Sequence, residues 1–432
     1  MHQKIHFELL CIFLYSQIST TYQEDIKADS TLNNEKLRFM YLWEQFDFSY
    51  PTEAAQQQAI ESGEYVPGSE LLGDIDIAHG KEGSRLFVTF PRVGKGTPAT
   101  LGYILPSSIK SKNDIPVVIP YPNLELNKVG NCNTNLISVY RIKIDECGRL
   151  WVLDTGKIRE QICPPKIVMF DLNSDQSSTY EFPEDQYQPE STFVNLAVDV
   201  RPNCLDTFVY IADPTGCQLI IYDHTNKNSW NIKHDVFSYD PDYISFTLAG
   251  YTFDQKDGVL GLALSPMRKN NDRILYFHSL SSATEHFVET SVLRKQSNFE
   301  SDDNDSILKL FSSMKKKRSS QTGVEVIDRN GVLFSTTVMT AKINCWNTNN
   351  GLFEENILDN LAVVSAEDPG LPSALNLKLI NLPNGRDELW INLVFFFVND
   401  KNETGMYFKV YAGYTDELVE GTKCAPAIIS KS

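Results

Sequence analysis

The chain has 432 residues, and 56 acidic against 39 basic side chains leave a formal charge of −17. That acidity excludes nucleic acid as the main partner, because phosphate binding needs a basic face. With 42% hydrophobic and 22% charged residues there is ample core material, so broad disorder is excluded. The length fits two or three ordinary domains or one large closed β-architecture.

Residues 1–21 read as a secretory signal. Lys4 precedes an apolar stretch over residues 7–18, and Ser19 and Thr21 are small residues before a cut near Tyr22. No later apolar run reaches the ~18–20 residues that span a bilayer, so no membrane partner is expected. Residues 22–432 then form one domain. Its lead segment, 37–48, is a candidate strand for closing a ring against the last repeat.

From there six segments share one pattern: a short apolar strand, a turn rich in Asp, Asn or Gly, and a second strand carrying an aromatic. They are 74–90, 139–154, 196–213, 260–277, 324–334 and 375–393. The aromatic anchors Phe87, Trp151, Tyr210, Tyr276, Phe334 and Trp390 are 64, 59, 66, 58 and 56 residues apart. Such a period holds about four short strands, the content of one propeller blade. The fold class is therefore all-β, a six-bladed β-propeller. Residues 296–321 interrupt the pattern with an acidic patch, a short amphipathic stretch and the run Lys315-Lys-Lys-Arg318; they read as an irregular, solvated insertion.

Seven cysteines follow the signal. Cys147 and Cys204 each precede the second strand at matching places in successive repeats and are plausible partners. Cys132 with Cys163 and Cys345 with Cys424 would then follow, leaving Cys217 free, one of several pairings open to the chain. The sequons at Asn304 and Asn402 agree with a secreted, extracellular glycoprotein.

Several strings occur in an order that resembles the yellow / major royal jelly protein family of insects. They include Phe87-Val-Thr-Phe-Pro-Arg92, Ser138-Val-Tyr-Arg141, Arg149-Leu-Trp-Val-Leu-Asp-Thr-Gly156, Pro165-Lys-Ile-Val-Met-Phe-Asp-Leu172, Val209-Tyr-Ile-Ala-Asp213, Cys345-Trp346 and Gly421-Thr-Lys-Cys424. The resemblance runs from about Leu37 to Cys424. It implies a secreted six-bladed propeller of insect origin, acting on or binding catecholamine- or indole-derived metabolites in melanin pigmentation or cuticle maturation. Dopachrome conversion is one such activity; a non-catalytic carrier of a biogenic amine or lipid, or a structural or nutritive protein, is the alternative. In amine-binding members an Asn and an aromatic of the 389–396 segment help line the pocket. Val394 and Phe396 stand at the matching positions here, so the polar contact is missing.

No hydrolase elbow, zinc-protease or nucleotide-binding motif is present, and no cofactor or metal is expected. Candidate site residues therefore come from strand ends at the rim where inner strands begin and second strands end. For dopachrome conversion, which relocates a proton, His278 is the candidate base, Asp213 the donor to the quinone oxygen and Arg92 the cation for the carboxylate. Asn195, Asp257, Gln321, Asn344, Ser373 and Phe396 are the candidate ligand contacts around a small aromatic metabolite. Asp154, Asp213, Asn195 and Asn344 form a weaker, unspecific set of metal donors.

Overall fold

In the computed structural model the described residues are 36–426, apart from 82, 249–250, 302, 339–341, 351–355, 358–370 and 399–403. The signal segment and Asn402 lie outside them. Six sheets of at least four strands form the six blades of a β-propeller. Their inner strands, in chain order, are Asp74–Gly80, Val139–Ile144, Asn195–Val200, Val259–Leu264, Thr322–Ile327 and Leu371–Asn381.

The ring follows from strands that are apolar on both faces. In the second strand of blade two, Arg149–Asp154, every residue is buried. Leu150 and Val152 pack with Phe87 and Leu101 of blade one, while Trp151 and Leu153 pack with Val209 and Ile211 of blade three. Successive side chains of a strand point to opposite faces, so each blade needs a neighbour on both sides. The six anchor aromatics repeat this logic. Phe87, Trp151, Tyr210, Tyr276, Phe334 and Trp390 each sit in the wall between their own blade and the next. Trp390 packs with Ile75, Leu86 and Val88, which brings blade six back onto blade one. Burying one such aromatic contributes roughly 2–3 kcal/mol.

Two further devices hold the ring. Arg38–Trp43 pairs antiparallel with Thr404–Tyr414, so this part of the 37–48 lead segment completes the last blade, while Asp47–Phe48 joins the sheet of blade one. Three disulfides are formed: Cys132–Cys163, Cys147–Cys204 and Cys345–Cys424, closing 31, 57 and 79 residues of chain. Cys217 is free and half-buried. The bridge between Cys147 and Cys204 joins the inner-to-second-strand turns of blades two and three.

Those turns have a recurrent chemistry. Asp145 accepts from the amides of Cys147 and Arg149, and Asp328 accepts from those of Asn330 and Val332. Each loop then needs a left-handed residue, supplied by Gly148 (φ 73°) and Gly331 (φ 79°).

The segment 296–321 is more structural than expected. Ser312–Ser313 is the fourth strand of blade four, pairing with His286–Glu289. Ile307 and Phe311 enter the core beside Phe237 and Phe277, and Arg318 is 5% exposed. Apolar side chains that looked like one face of a solvated stretch instead fill the outer edge of that blade.

Candidate functional site

The inner strands of blades two to six surround a cavity of about 410 Å³. Its walls are aliphatic, with Ile142, Leu196, Val198, Leu262, Val324 and Leu377 among them, and the described lining holds no aromatic ring. Charged groups interrupt these walls: Arg141, Lys143, Arg273, Arg329 and Lys378 against Glu146, Glu325, Asp328 and Asp387. Glu146, Pro266, Met267, Asp328 and Arg329 belong to the inner-to-second-strand turns, so the cavity runs toward the rim opposite to the one expected.

The reason lies at the expected rim, where polar side chains are consumed by the backbone. The hairpin Ser245–Leu248 and Tyr251–Asp254 lies across it. Phe246 stacks on Phe253 at 5.8 Å and packs with Leu260, Leu280 and Val338. Gln321 donates to the carbonyls of Tyr243 and Ser245, which pins the hairpin. Asp257 is buried there; its carbonyl accepts from the Ser281 amide and its own amide donates to Ser281 Oγ.

Around the cavity the ion pairs cross between blades. Lys378 Nζ donates to Asp74 Oδ2 (2.8 Å) and to Ile142 O (2.7 Å), linking blades six, one and two. Asp76 accepts from the Ile144 amide; burial pushes its carboxyl up, while Lys143 and Lys378 oppose that rise. Arg141 Nη1 donates to Gly73 O (2.6 Å), and Lys143 Nζ is held loosely, 3.3 Å from Leu379 O. Arg273 faces Asp199 and Glu146, and Arg329 faces Asp387.

The three residues chosen for proton relocation stand in separate neighbourhoods and share no partner. Arg92 spends its guanidinium on the carbonyls of Thr97, Pro98, Asn127, Leu136 and Ile137. Burial brings its pKa down to about 10, against the pull of Asp154 and Glu64. Asp213 accepts from the amides of Thr192 and Gly216 and from Gln218 Nε2. His278 is fully buried against Glu325, at 3.1 Å, and Glu285, at 3.6 Å.

The sequence profile of the family described as "Major royal jelly protein" matches residues 137–424, two thirds of the chain. The chain belongs to the major royal jelly protein family. It is 32% identical over 400 residues to "Protein yellow" of Drosophila melanogaster, covering 90% of this chain and 71% of that one. The Drosophila yakuba protein of the same name gives the same identity and coverage. Among solved structures, a streptogramin B lyase aligns with a TM-score of 0.42 and 11% identity, over 89% of this chain and 99% of that one. A luciferin-regenerating enzyme aligns with a TM-score of 0.40 and 12% identity, over 81% and 92%. Neither structural likeness carries a functional argument.

In this major royal jelly family propeller, Asn195 alone of the six expected ligand contacts is among the described cavity-lining residues. It reaches across to blade four through Nδ2 to Leu260 O, 2.8 Å. Asn344 belongs to the third strand of blade five, opposite Ser335, because the second strand ends earlier, at Thr337. Ser373 and Phe396 occupy paired strand positions opposite Val394 and Leu371; their side chains lie outside the described set. The weaker metal set is dispersed too: Asp154 caps the amides of Ile137, Ser138 and Gly156. Asn304 is exposed. Sequence reasoning missed the cavity-lining Glu325, Lys143 and Lys378. The available signal was a charged residue inside an inner strand whose neighbours are apolar, as in Val324-Glu325-Val326.

Proposed function

We propose that this family member is a secreted, extracellular yellow-type protein that holds a small catechol- or indole-derived carboxylate in its central channel during pigmentation or cuticle maturation. The observation that carries this reading is the 410 Å³ aliphatic cavity edged by cationic heads, among them the loosely held Lys143. That volume is at the small end of ligand pockets and suits one bicyclic metabolite. Aliphatic walls desolvate a ring, and a lysine or arginine at their edge offers a charge-assisted bond to a carboxylate.

Binding without turnover is the second reading, because His278, Asp213 and Arg92 do not face one common space. Dopachrome conversion remains the activity to assay. A thermal-shift and titration panel of dopachrome, DOPA and dopamine tests both readings. The carboxylated ligands raise the melting point, dopamine does so weakly, and Lys143→Met weakens DOPA by about tenfold, the value of one charge-assisted bond. Dopachrome loss above the spontaneous rate separates enzyme from carrier. A flat panel, or unchanged DOPA affinity in the variant, sinks the proposal.

A further inference from the structure

The buried group formed by His278, Glu285 and Glu325 lies between blades four and five. His278 is in the second strand of blade four, Glu285 follows that strand, and Glu325 is in the inner strand of blade five. All three side chains have zero exposure. One nitrogen and two carboxylate oxygens converge within 4.8 Å of one another.

The ring orientation is set from outside. His278 Nε2 lies 2.8 Å from Gly323 O and 3.1 Å from Thr322 O, so this nitrogen carries the proton and donates. Nδ1 is thereby turned toward Glu325 and Glu285. Space for the imidazole comes from Gly261, opposite it in the sheet, where a Cβ would lie 2.1 Å from Cε1. Among the described residues, no hydrogen-bond donor is matched to Glu285 Oε1 or to either carboxylate oxygen of Glu325, while Glu285 Oε2 faces the buried Arg318 guanidinium. Arg318 forms an ion pair with Glu285.

Two carboxylates face one guanidinium in this sealed pocket, so Arg318 balances one negative charge and the other requires a further cation. A proton on Nδ1 serves the nearer oxygen, Glu325 Oε2 at 3.1 Å, and leaves Oε1 buried without a donor. A divalent ion accepts from the nitrogen and both carboxylates together. A histidine whose other nitrogen donates to backbone carbonyls is the arrangement that orients metal ligands. The mixed nitrogen and oxygen donors favour a first-row transition ion over calcium, which takes oxygens.

We infer that His278, Glu285 and Glu325 bind a divalent transition-metal ion such as zinc or manganese. Arg318 holds Glu285 at Oε2, the oxygen that also faces His278 Nδ1, which leaves Oε1 without a partner. Glu325 also lines the central cavity, which makes the channel the entry path. This assignment departs from the sequence expectation of no metal and is independent of the metabolite reading.

The test is metal analysis of the full chain, purified without a histidine tag and dialysed with zinc, manganese or cobalt. One equivalent per chain is expected, with a melting point that rises with metal and falls again with a chelator. Cobalt gives visible ligand-field bands in the wild-type protein, a readout that survives if variants misfold. His278→Ala and Glu325→Gln lower affinity by at least ~100-fold and abolish the bands. Less than about a tenth of an equivalent of every ion with an unmoved melting point overturns the site. So does undiminished binding in both variants.

Discussion

Arg92 and His278 both follow or end a second strand, both are buried, and both looked like chemistry from the sequence alone. Their surroundings are opposite. Arg92 points five N–H groups at five backbone carbonyls drawn from three stretches of loop. His278 meets two carboxylates, Glu285 held by Arg318 at one oxygen and Glu325 with no matched donor. A fork of five donors filled by five acceptors is a strut, with nothing left to offer a ligand. A convergence of lone pairs is unfinished business, and a cation completes it. Burial of a charge is therefore uninformative until its partners are counted.

The largest expected effect breaks the strut. Arg92→Leu leaves several carbonyls buried without donors and removes a cation on which the 97–98, 127 and 136–137 segments converge. Each orphaned group costs about 1–3 kcal/mol and the losses do not add fully, so about 4–5 kcal/mol is expected. Urea denaturation measures it. A loss below about 1 kcal/mol would mean that the carbonyls find other donors and that the strut reading is wrong.

The second test reaches the other pocket through its floor. Gly261→Ala places a methyl 2.1 Å from His278 Cε1, and the facing strand cannot retreat without opening the blade. About 2–3 kcal/mol of destabilisation is expected, toward the upper range for overpacking, together with weaker metal binding. The matched control sits beside Arg92: a Cβ on Gly94 meets nothing within 4 Å. Gly94→Ala should therefore stay within about 0.5 kcal/mol of wild type. Equal effects in the two variants would remove the steric argument.

Much of the ring was legible because its information is local and repeated. An anchor such as Trp151 marks a second strand, and alternation around it says that both faces are covered; six such marks make a closed circle. Asn344 was misplaced by one strand because the second strand of blade five ends at Thr337 and the next begins only six positions later, at Ile343. Ser312–Ser313 is too brief to leave a periodic signal at all. The site was less legible for a different reason. His278 and Glu325 are 47 positions apart and meet only because two blades pack. Spacing rules register ligands on one helix or one turn, whereas partners across a blade wall leave no spacing to read. The rim fared worst: Asp213 and Gln321 have the right residue types at strand ends, but their capacity is used up by turns and the covering hairpin.

Glu70 stands between the two extremes and gives the smallest and most discriminating test. One of its carboxylate oxygens accepts from the Gly68 amide at 3.0 Å, while the other is buried without a partner. Burial pushes its pKa up to about 7, with the Asp47 charge adding to the rise and the backbone bonds opposing it. The folded protein therefore holds this proton more tightly than the unfolded chain does. Its contribution to stability is intact below the ordinary carboxyl range and is lost as pH climbs from about 4.5 through 7. Glu70→Gln cannot ionise, so the difference in stability between variant and wild type should move in the variant's favour between pH 5 and pH 8. The expected movement is about 1–2 kcal/mol, below the full value of the shift because part of the titration falls below pH 5. Paired urea titrations at the two pH values read that difference directly, and other titrating groups cancel between the two proteins. A constant offset would show that the single Gly68 bond suffices, and that one donor, rather than a full set, is the threshold separating a strut from an open pocket.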